Sequence, residues 1–445
     1  MRTRTRKGAT MNIFQGKSVS LVGYGKSNKD VLAYLLKNEI YPIVRNQSEC
    51  ILPNGVKGIF TNDYLHADED IVFRSPGIRP DRIKAHGQIL CEASFSLENI
   101  SAYKIGVTGS DGKTTVSTLI HNMLLFGGHS SRLGGNIGTP LISQLDKINK
   151  EDYVVSELSS FQLIDTAPKI DTAVITNISE NHLDWHTSFL EYVFAKRNIL
   201  KKAKRAVINL DCPYNEFFTH ENISYFSLND LSHIMSPNYS YTYISNGYFC
   251  HNGTRLFDID KIKLRGDFNI SNILCAIATV YPYVDIEAIK HVATEFSGVS
   301  HRMQSIMVLN GVTFVDSSID STPTRTKRTL SAFDKEKAIV ILGGYDKNLS
   351  YDTLYEPTKG IKCAIVLGAN REKILKNVTG AKRVINVNTL NEAVTLAYKE
   401  AQGGDYVILS PASASFDMFE NYEQRAEKFK EILRGLENGE YKKNT

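Results

Sequence analysis

The chain has 445 residues, of which 42% are apolar and 22% charged, and a formal net charge of +4. That length suggests roughly two to three domains, the composition excludes disordered and fibrous classes, and so small a charge excess points neither to a nucleic-acid binder nor to an acidic tail. No apolar run approaches the ~18–20 residues needed to span a bilayer, and the six scattered cysteines, without a Cys-x-x-Cys pair, read as buried free thiols of a reducing cytosol.

Met1-Arg2-Thr3-Arg4-Thr5-Arg6-Lys7-Gly8 is basic, but no apolar stretch follows it as a signal peptide requires. Residues 1–10 are expected to be a disordered extension, with Met11 as an alternative start. Beyond them, short apolar runs alternate with helical patterns. Val19-Ser20-Leu21-Val22 leads into Gly23-Tyr24-Gly25, and Ile71-Val72-Phe73 leads into Ser75-Pro76-Gly77. Tyr103-Lys104-Ile105-Gly106-Val107 leads into Thr108-Gly109-Ser110-Asp111-Gly112-Lys113-Thr114-Thr115. After Lys113, Val116, Leu119, Ile120, Met123 and Leu124 fall on one helix face, and Gly127-Gly128 stops it. Further runs precede Glu157 and Asn177, and others span 338–342, 364–367 and 406–409. Apolar runs without alternation are strands buried on both faces, so the fold class is α/β with parallel sheets. Three sheets fit better than one, with domains at 11–98, 99–299 and 300–445. The stretch 221–260, rich in Tyr, Asn and Ser, reads as a β-meander or irregular insert.

The strongest motif is the loop between the strand at 103–107 and the helix at Lys113. Gly109 and Gly112 let backbone N–H groups turn toward an anion, and the helix N-terminus adds partial positive charge. Lys113 can reach the β- and γ-phosphates of a nucleoside triphosphate, and the Thr114 hydroxyl can bind Mg²⁺. The strict phosphate-loop pattern asks for glycine at 107, where valine stands. Glu157 closes a buried strand, and it reads either as a Mg²⁺ ligand in the crevice or as a helix N-terminal charge. His182 and His186 have the spacing of a zinc pair but lack a third ligand, so a satisfied histidine is the competing reading. Lys196 by itself is an ordinary solvated lysine. Gly23-Tyr24-Gly25-Lys26-Ser27-Asn28 is like a dinucleotide fingerprint, except that Asn28 replaces the third glycine and Arg45-Asn46 stand where an acid belongs. A nucleotide or diphosphate contact is favoured there over NAD.

Taken in order, these motifs resemble the Mur ligases of peptidoglycan synthesis over about residues 12 to 435. Gly134-Gly135-Asn136-Ile137-Gly138, His301-Arg302 and Gly343-Gly344-Tyr345-Asp346-Lys347 belong to the same series. Ser159-Ser160-Phe161-Gln162 and Ser410-Pro411-Ala412-Ser413-Ala414-Ser415 resemble the D-glutamate-adding branch. The resemblance implies a Rossmann-like UDP-binding domain, a central P-loop ATPase-type domain and a C-terminal Rossmann-like domain. It implies an ATP-driven amide ligation of D-glutamate to UDP-N-acetylmuramoyl-L-alanine through an acyl phosphate, by a cytoplasmic monomer with no nucleic-acid or membrane partner.

Further implications concern residues. Gly109, Ser110, Asp111, Gly112, Lys113, Thr114, Thr115, Asn272, Arg302 and Asp316 would bind ATP. Two Mg²⁺ ions would lie on Thr114 with Glu157 and on His182 with Lys196, the lysine carrying a CO₂-derived carbamate. Lys113, Glu157, His182 and Lys196 form the implied catalytic set. Gly25, Lys26, Ser27, Ser75, Pro76, Gly77, Asn136, Ser159 and Gln162 would hold the UDP-substrate, and Lys347, Ser415 and Phe416 the D-glutamate. Departures from the family pattern are Phe268, Asn181, Ser413, Ala426 and the segment from Asp316 to Arg325, where Arg325 is read as supplying a missing positive charge. A sister ligase adding lysine or diaminopimelate, a folylpolyglutamate synthase and a non-catalytic P-loop ATP switch are the competing readings.

Overall fold

The structure is a computed structural model that describes residues 13–183, 185–264, 266–347 and 349–439. The expected arm at 1–10 lies outside these residues. The chain forms two compact units, residues 1–262 with 267–295 and residues 263–266 with 296–445. The first unit contains two large sheets and the second contains one.

In the first sheet, β1 (Val19–Val22), β2 (Ile43–Asn46), β3 (Lys57–Phe60), β4 (Ile71–Arg74) and β5 (Gln88–Leu90) run parallel in the order β3-β2-β1-β4-β5. Helix α1 (Lys26–Lys37) follows β1, and α2 (Glu92–Asn99) follows β5. The core is Leu21, Val31, Leu35, Val44, Ile71, Phe73 and Phe95, all buried, as the continuous apolar runs require. The strand order reverses between β1 and β4, so the loops leaving their C-terminal ends flank a crevice.

The second sheet is built around β6 (Tyr103–Thr108). Its flanking elements are α3 (Lys113–Phe126), β7 (Ser131–Gly135), β8 (Tyr153–Glu157), α4 (Ser160–Leu163), β9 (Ile170–Ile175), α5 (Phe189–Arg197) and β10 (Ala203–Asn209). Then come β11 (Ile223–Ser227), β12 (Ser240–Ser245), β13 (Tyr248–His251), β14 (Thr254–Asp258), α6 (Asp267–Val280) and α7 (Ile286–Glu295). The order is β14-β13-β12-β11-β10-β9-β6-β8-β7. Pairing is parallel from β7 to β12 and antiparallel across β13 and β14. The 221–260 stretch is thus only half a meander, since β11 and β12 continue the parallel sheet.

In the second unit, β15 (Gln304–Leu309) pairs antiparallel with β16 (Val312–Asp316). Helix α8 (Pro323–Leu330), β17 (Ala338–Gly343), β18 (Cys363–Leu367), β19 (Val384–Asn386), α9 (Leu390–Glu400), β20 (Tyr406–Leu409) and α10 (Tyr422–Glu437) complete it. The order is β15-β16-β20-β17-β18-β19, parallel apart from β15. Five of the six cysteines are buried and all are free, while Cys50 is half-buried.

Candidate active site

The central site forms where β6 ends. Gly112 caps α3 at φ +79, and Gly109 sits at φ +151. A Cβ at Gly112 would run into the Asn272 side chain from α6, and one at Gly109 into Thr176, so both glycines are needed for space as well as for conformation. The loop is fixed by the residues just beyond β9. Asp111 N–H donates to Asn177 Oδ1 (2.9 Å), Thr176 Oγ1 donates to Asp111 O (2.6 Å), and Ser110 N–H donates to Asn177 O (2.9 Å). Ser110 Oγ meets Tyr192 OH at 2.7 Å and Ser179 O at 2.9 Å. Thr115 is buried on the first turn of α3.

Lys113 Nζ donates to the Gly109 and Ser110 carbonyls at 2.9 Å, lying across the loop. Thr114 Oγ1 donates to Glu157 Oε2 at 2.7 Å, and Asn136 Nδ2 donates to Glu157 Oε1 at 3.1 Å. This convergence follows from topology, because β8 is the direct neighbour of β6. Ser159 and Gln162 form a reciprocal cap on α4, with Ser159 N–H donating to Gln162 Oε1 at 2.9 Å.

Lys196 is not the solvated lysine its sequence context suggests. Its side chain is fully buried beneath the loop, with Nζ 2.7 Å from Gly109 O and 4.7 Å from the centre of the Tyr192 ring. Burial first, and then the Lys113 charge, pushes its pKa well below the ordinary lysine value. His182 lies exposed at φ +55, its ring 4.9 Å from that of Phe161. His186 instead points inward: Nε2 is 2.9 Å from Ser160 Oγ and Nδ1 is 3.2 Å from Glu191. Burial lowers its pKa against the pull of Glu191. The two histidines therefore serve different places, and His186 is a satisfied core side chain.

On the first sheet, Gly25 caps α1, whose first turn begins with Lys26 and Ser27. Ser75 N–H donates to Val22 O (2.9 Å), and a Cβ on Gly25 would touch Ser75 Oγ, so the two motif loops lie side by side. Asn28, in the position of the missing third glycine, is buried and donates to the carbonyls of Gly23 (2.8 Å) and Phe73 (3.0 Å). Asn46 Oδ1 accepts from Tyr24 N–H, and Arg45 is paired with Glu69 at 2.8 Å. Neither is presented as the acid of an NAD site would be.

In the second unit, β17 and β20 are neighbours, which brings the loop carrying Lys347 beside the loop carrying Ser415 and Phe416. Tyr345 N–H donates to Ala414 O (2.9 Å), and Asn370 Nδ2 donates to Ser413 Oγ (2.6 Å). Lys347 and Phe416 are exposed and Ser415 is buried. Asp316 is fully buried and accepts from Ser318 N–H (2.9 Å), with His301 Nδ1 at 2.8 Å. Burial would raise its pKa, but these hydrogen bonds overcome it and hold it low. The segment after Asp316, which departs from the family pattern, is tight: Asp320 is buried, accepts from Thr329 and Ser410 at 2.7 Å, and has its pKa raised by burial. Arg325 is exposed on α8 and donates to Ile319 O (3.0 Å). Arg302 is half-buried near the start of this unit.

Sequence reasoning missed Arg74, Arg79, Tyr192 and Arg425. Arg74 and Arg79 bracket Ser75-Pro76-Gly77, and Arg425 is buried with donors on Ala414 O, Ser413 O and Ser318 O. The available signal was an arginine directly beside a motif or, for Arg74, at the end of a buried apolar strand.

Known proteins were compared with this chain. Residues 107–280 match the Mur ligase middle domain, and residues 301–413 match the Mur ligase, glutamate ligase domain. A UDP-N-acetylmuramoylalanine--D-glutamate ligase of Acetivibrio thermocellus is 41% identical over 95% of this chain and 97% of its own length. A protein of the same name from Ruminiclostridium cellulolyticum is 38% identical with the same coverage. Among solved structures, the UDP-N-acetylmuramate-alanine ligase of Thermotoga maritima matches with a TM-score of 0.57 at 17% identity, over 94% of this chain and 100% of its own, a likeness of fold.

Proposed function

The chain belongs to the Mur ligase family, and from that premise we propose how its residues carry out the ligation. It is an ATP-dependent ligase that joins D-glutamate to UDP-N-acetylmuramoyl-L-alanine in peptidoglycan precursor synthesis. The observation that carries this reading is the near-full-length identity with D-glutamate ligases, set on a phosphate loop whose Thr114 and Glu157 already converge.

The alanyl carboxylate attacks the γ-phosphate of ATP, ADP leaves, and the D-glutamate amine displaces phosphate from the acyl phosphate. Phosphoryl transfer asks the protein mainly for positioning and charge neutralisation. The N–H groups of Gly109 to Gly112 and the first turn of α3, with Thr115, cradle the phosphates, and Lys113 adds positive charge to them. Asn272 faces the nucleotide from α6, and Arg302 and Asp316 are the candidates for further ATP contacts, Asp316 only once its side chain leaves the buried pair with His301. Gly25, Lys26, Ser27 and Ser75-Pro76-Gly77 hold the uridine diphosphate at the first crevice, and Asn136, Ser159 and Gln162 reach toward the sugar and its alanine. Lys347 pairs with the D-glutamate side-chain carboxylate, beside Ser415 and Phe416.

Thr114 and Glu157 present two hard oxygen donors 2.7 Å apart, a set that fits Mg²⁺. When bound, the ions neutralise charge developing on the transferred phosphoryl group. His182 and Lys196 are the candidates for a second ion. The depressed basicity of Lys196 favours the free amine that CO₂ needs to form a carbamate, and the carbamate replaces a repelling cation with oxygen donors. Among the described residues no helix is long and apolar enough to cross a membrane. We place the enzyme in the cytoplasm as a monomer.

Phosphate release from ATP tests the reading. It should require both UDP-N-acetylmuramoyl-L-alanine and D-glutamate, and release indifferent to D-glutamate would overturn the assignment.

A further inference from the structure

Arg79 lies just beyond Ser75-Pro76-Gly77, and its guanidinium is engaged on every side. It meets Glu191 with both arms, at 2.8 and 2.9 Å, and donates to Trp185 O at 3.0 Å and to Asp81 at 2.9 Å. It also lies over the Trp185 ring, 5.2 Å from its centre. Trp185, the only tryptophan of the chain, donates its Nε1–H to Gly77 O at 2.8 Å. The N–H groups of Trp185 and His186 both donate to His182 O, at 3.1 and 2.9 Å, a turn of the chain back onto His182. His182 opens that turn at φ +55, a left-handed conformation that a non-glycine residue keeps only when its surroundings hold it. They do so through both rings downstream: Trp185 is fixed on Gly77 and Arg79, and His186 on Ser160 and Glu191.

We propose that Arg79 is a positioning residue for the ligation, which with Trp185 clamps the Ser75-Pro76-Gly77 loop to the turn carrying His182, so that occupancy of the first crevice by a uridine diphosphate group and the placement of His182 are set together. The proposal rests on the functional reading above for the roles of that loop and of His182. The network has the chemistry of a rigid joint. Arg79 is only 11% exposed, and the planar fork of arginine spans two carboxylates and a carbonyl in a way that a lysine point charge does not. Glu191 gathers Arg79, Thr187 N–H and His186 on one carboxylate, and the Arg79 hydrogen bonds hold its pKa down at about 2.

Because Trp185 is the sole tryptophan, its emission reports on this joint directly. UDP titrated alone into the full chain should change the Trp185 fluorescence. In Arg79→Ala and Arg79→Lys that change should be lost. In both variants kcat for phosphate release should fall on the order of 10- to 100-fold while the KM for D-glutamate stays within about two-fold, the pattern of a displaced reacting geometry. Should Arg79→Ala fail to fold, Trp185→Phe replaces the indole with a smaller phenyl ring, removing the N–H to Gly77 and part of the surface under Arg79, and it should reproduce the kcat-selective loss. A wild-type emission that ignores UDP, or an Arg79→Lys variant with wild-type kcat and an undiminished emission change, overturns the proposal. If wild-type phosphate release ignores D-glutamate, the functional reading fails instead, and the fluorescence response to UDP still decides the clamp.

Discussion

Asp165→Ala removes the anion from a guanidinium that has no access to water. The Arg74 side chain is 0% exposed and that of Asp165 24%, and the two groups meet through hydrogen bonds of 2.6 and 2.8 Å. Arg74 also donates to Phe161 O at 2.7 Å, to Ile78 O at 3.2 Å and to Pro76 O at 3.4 Å, so it cannot swing out to solvent without freeing the Ser75–Ile78 loop. Unit charges about 4 Å apart attract by ~4 kcal/mol at the effective dielectric of a protein, and breaking a buried pair from one side costs ~3–5 kcal/mol. Partial exposure of Asp165 puts the expected loss near the low end, about 3 kcal/mol. The Lys37–Asp146 pair is the control, because it is equally short at 2.7 Å but 64% and 43% exposed. Lys37→Ala should therefore cost no more than about 1 kcal/mol. Urea unfolding followed by Trp185 emission reads the same unit that contains both pairs. Equal midpoint shifts for the two variants would refute the claim that burial, rather than the ion pair as such, sets the cost. Loosening the Ser75–Ile78 loop should also raise the KM for the UDP-substrate while leaving that for ATP unchanged.

Gly112→Ala forces a side chain into the left-handed cap of α3 and against Asn272, and should weaken ATP binding at least about ten-fold by calorimetry with the fold intact. Arg325→Ala tests whether that exposed arginine supplies charge to the C-terminal site. It should lower kcat/KM for ATP or for D-glutamate, and wild-type values for both would remove it from the site. Glu191 titrates near 2 against an ordinary 4.5, so its stabilisation is complete above the ordinary value and is lost as pH falls through the folded one. Since Arg79 is the main cause, stability measured by urea midpoint should fall less steeply in Arg79→Ala than in wild type between about pH 5 and pH 2.

What could be read from the sequence was local in the chain. The strand, glycine loop and helix from Tyr103 to Phe126 announce themselves because every determinant lies within one βα unit. Glu157 was readable as a strand-end carboxylate, but its partner Thr114 depends on β8 lying beside β6, which no local pattern encodes. Lys196 was opaque for the same reason, since its burial is created by the underside of a loop far away in sequence. The 221–260 stretch misled because its strands bury polar side chains: Ser224 Oγ accepts from Arg205, and Thr242 Oγ1 lies 2.8 Å from His251 Nδ1. Polar residues satisfied by one another in a core look like loop residues in a one-dimensional pattern. In the segment after Asp316, Asp320 is an internal acceptor for Thr329 and Ser410, an arrangement that no local pattern encodes.

The same device recurs at each crevice. A loop leaving the C-terminal end of a parallel strand drops out of the ladder, and its carbonyls need donors if the loop is to keep one shape without bound substrate. An arginine offers five donors in a fixed plane and keeps its charge even when buried. Arg74 fastens the loop after β4 to Phe161, and Arg79 fastens its continuation to Trp185. Arg425 joins the loop after β20 to the loop after β16 through Ser413, Ala414 and Ser318, even though burial pulls its pKa down to about 10. Each of these guanidiniums holds a loop that carries residues proposed for substrate, and on that proposal the loops are shaped before substrate arrives, so ordering them costs less on binding. Lysine at any of the three positions would retain the charge and lose the fork, and so would lose the loop geometry with it.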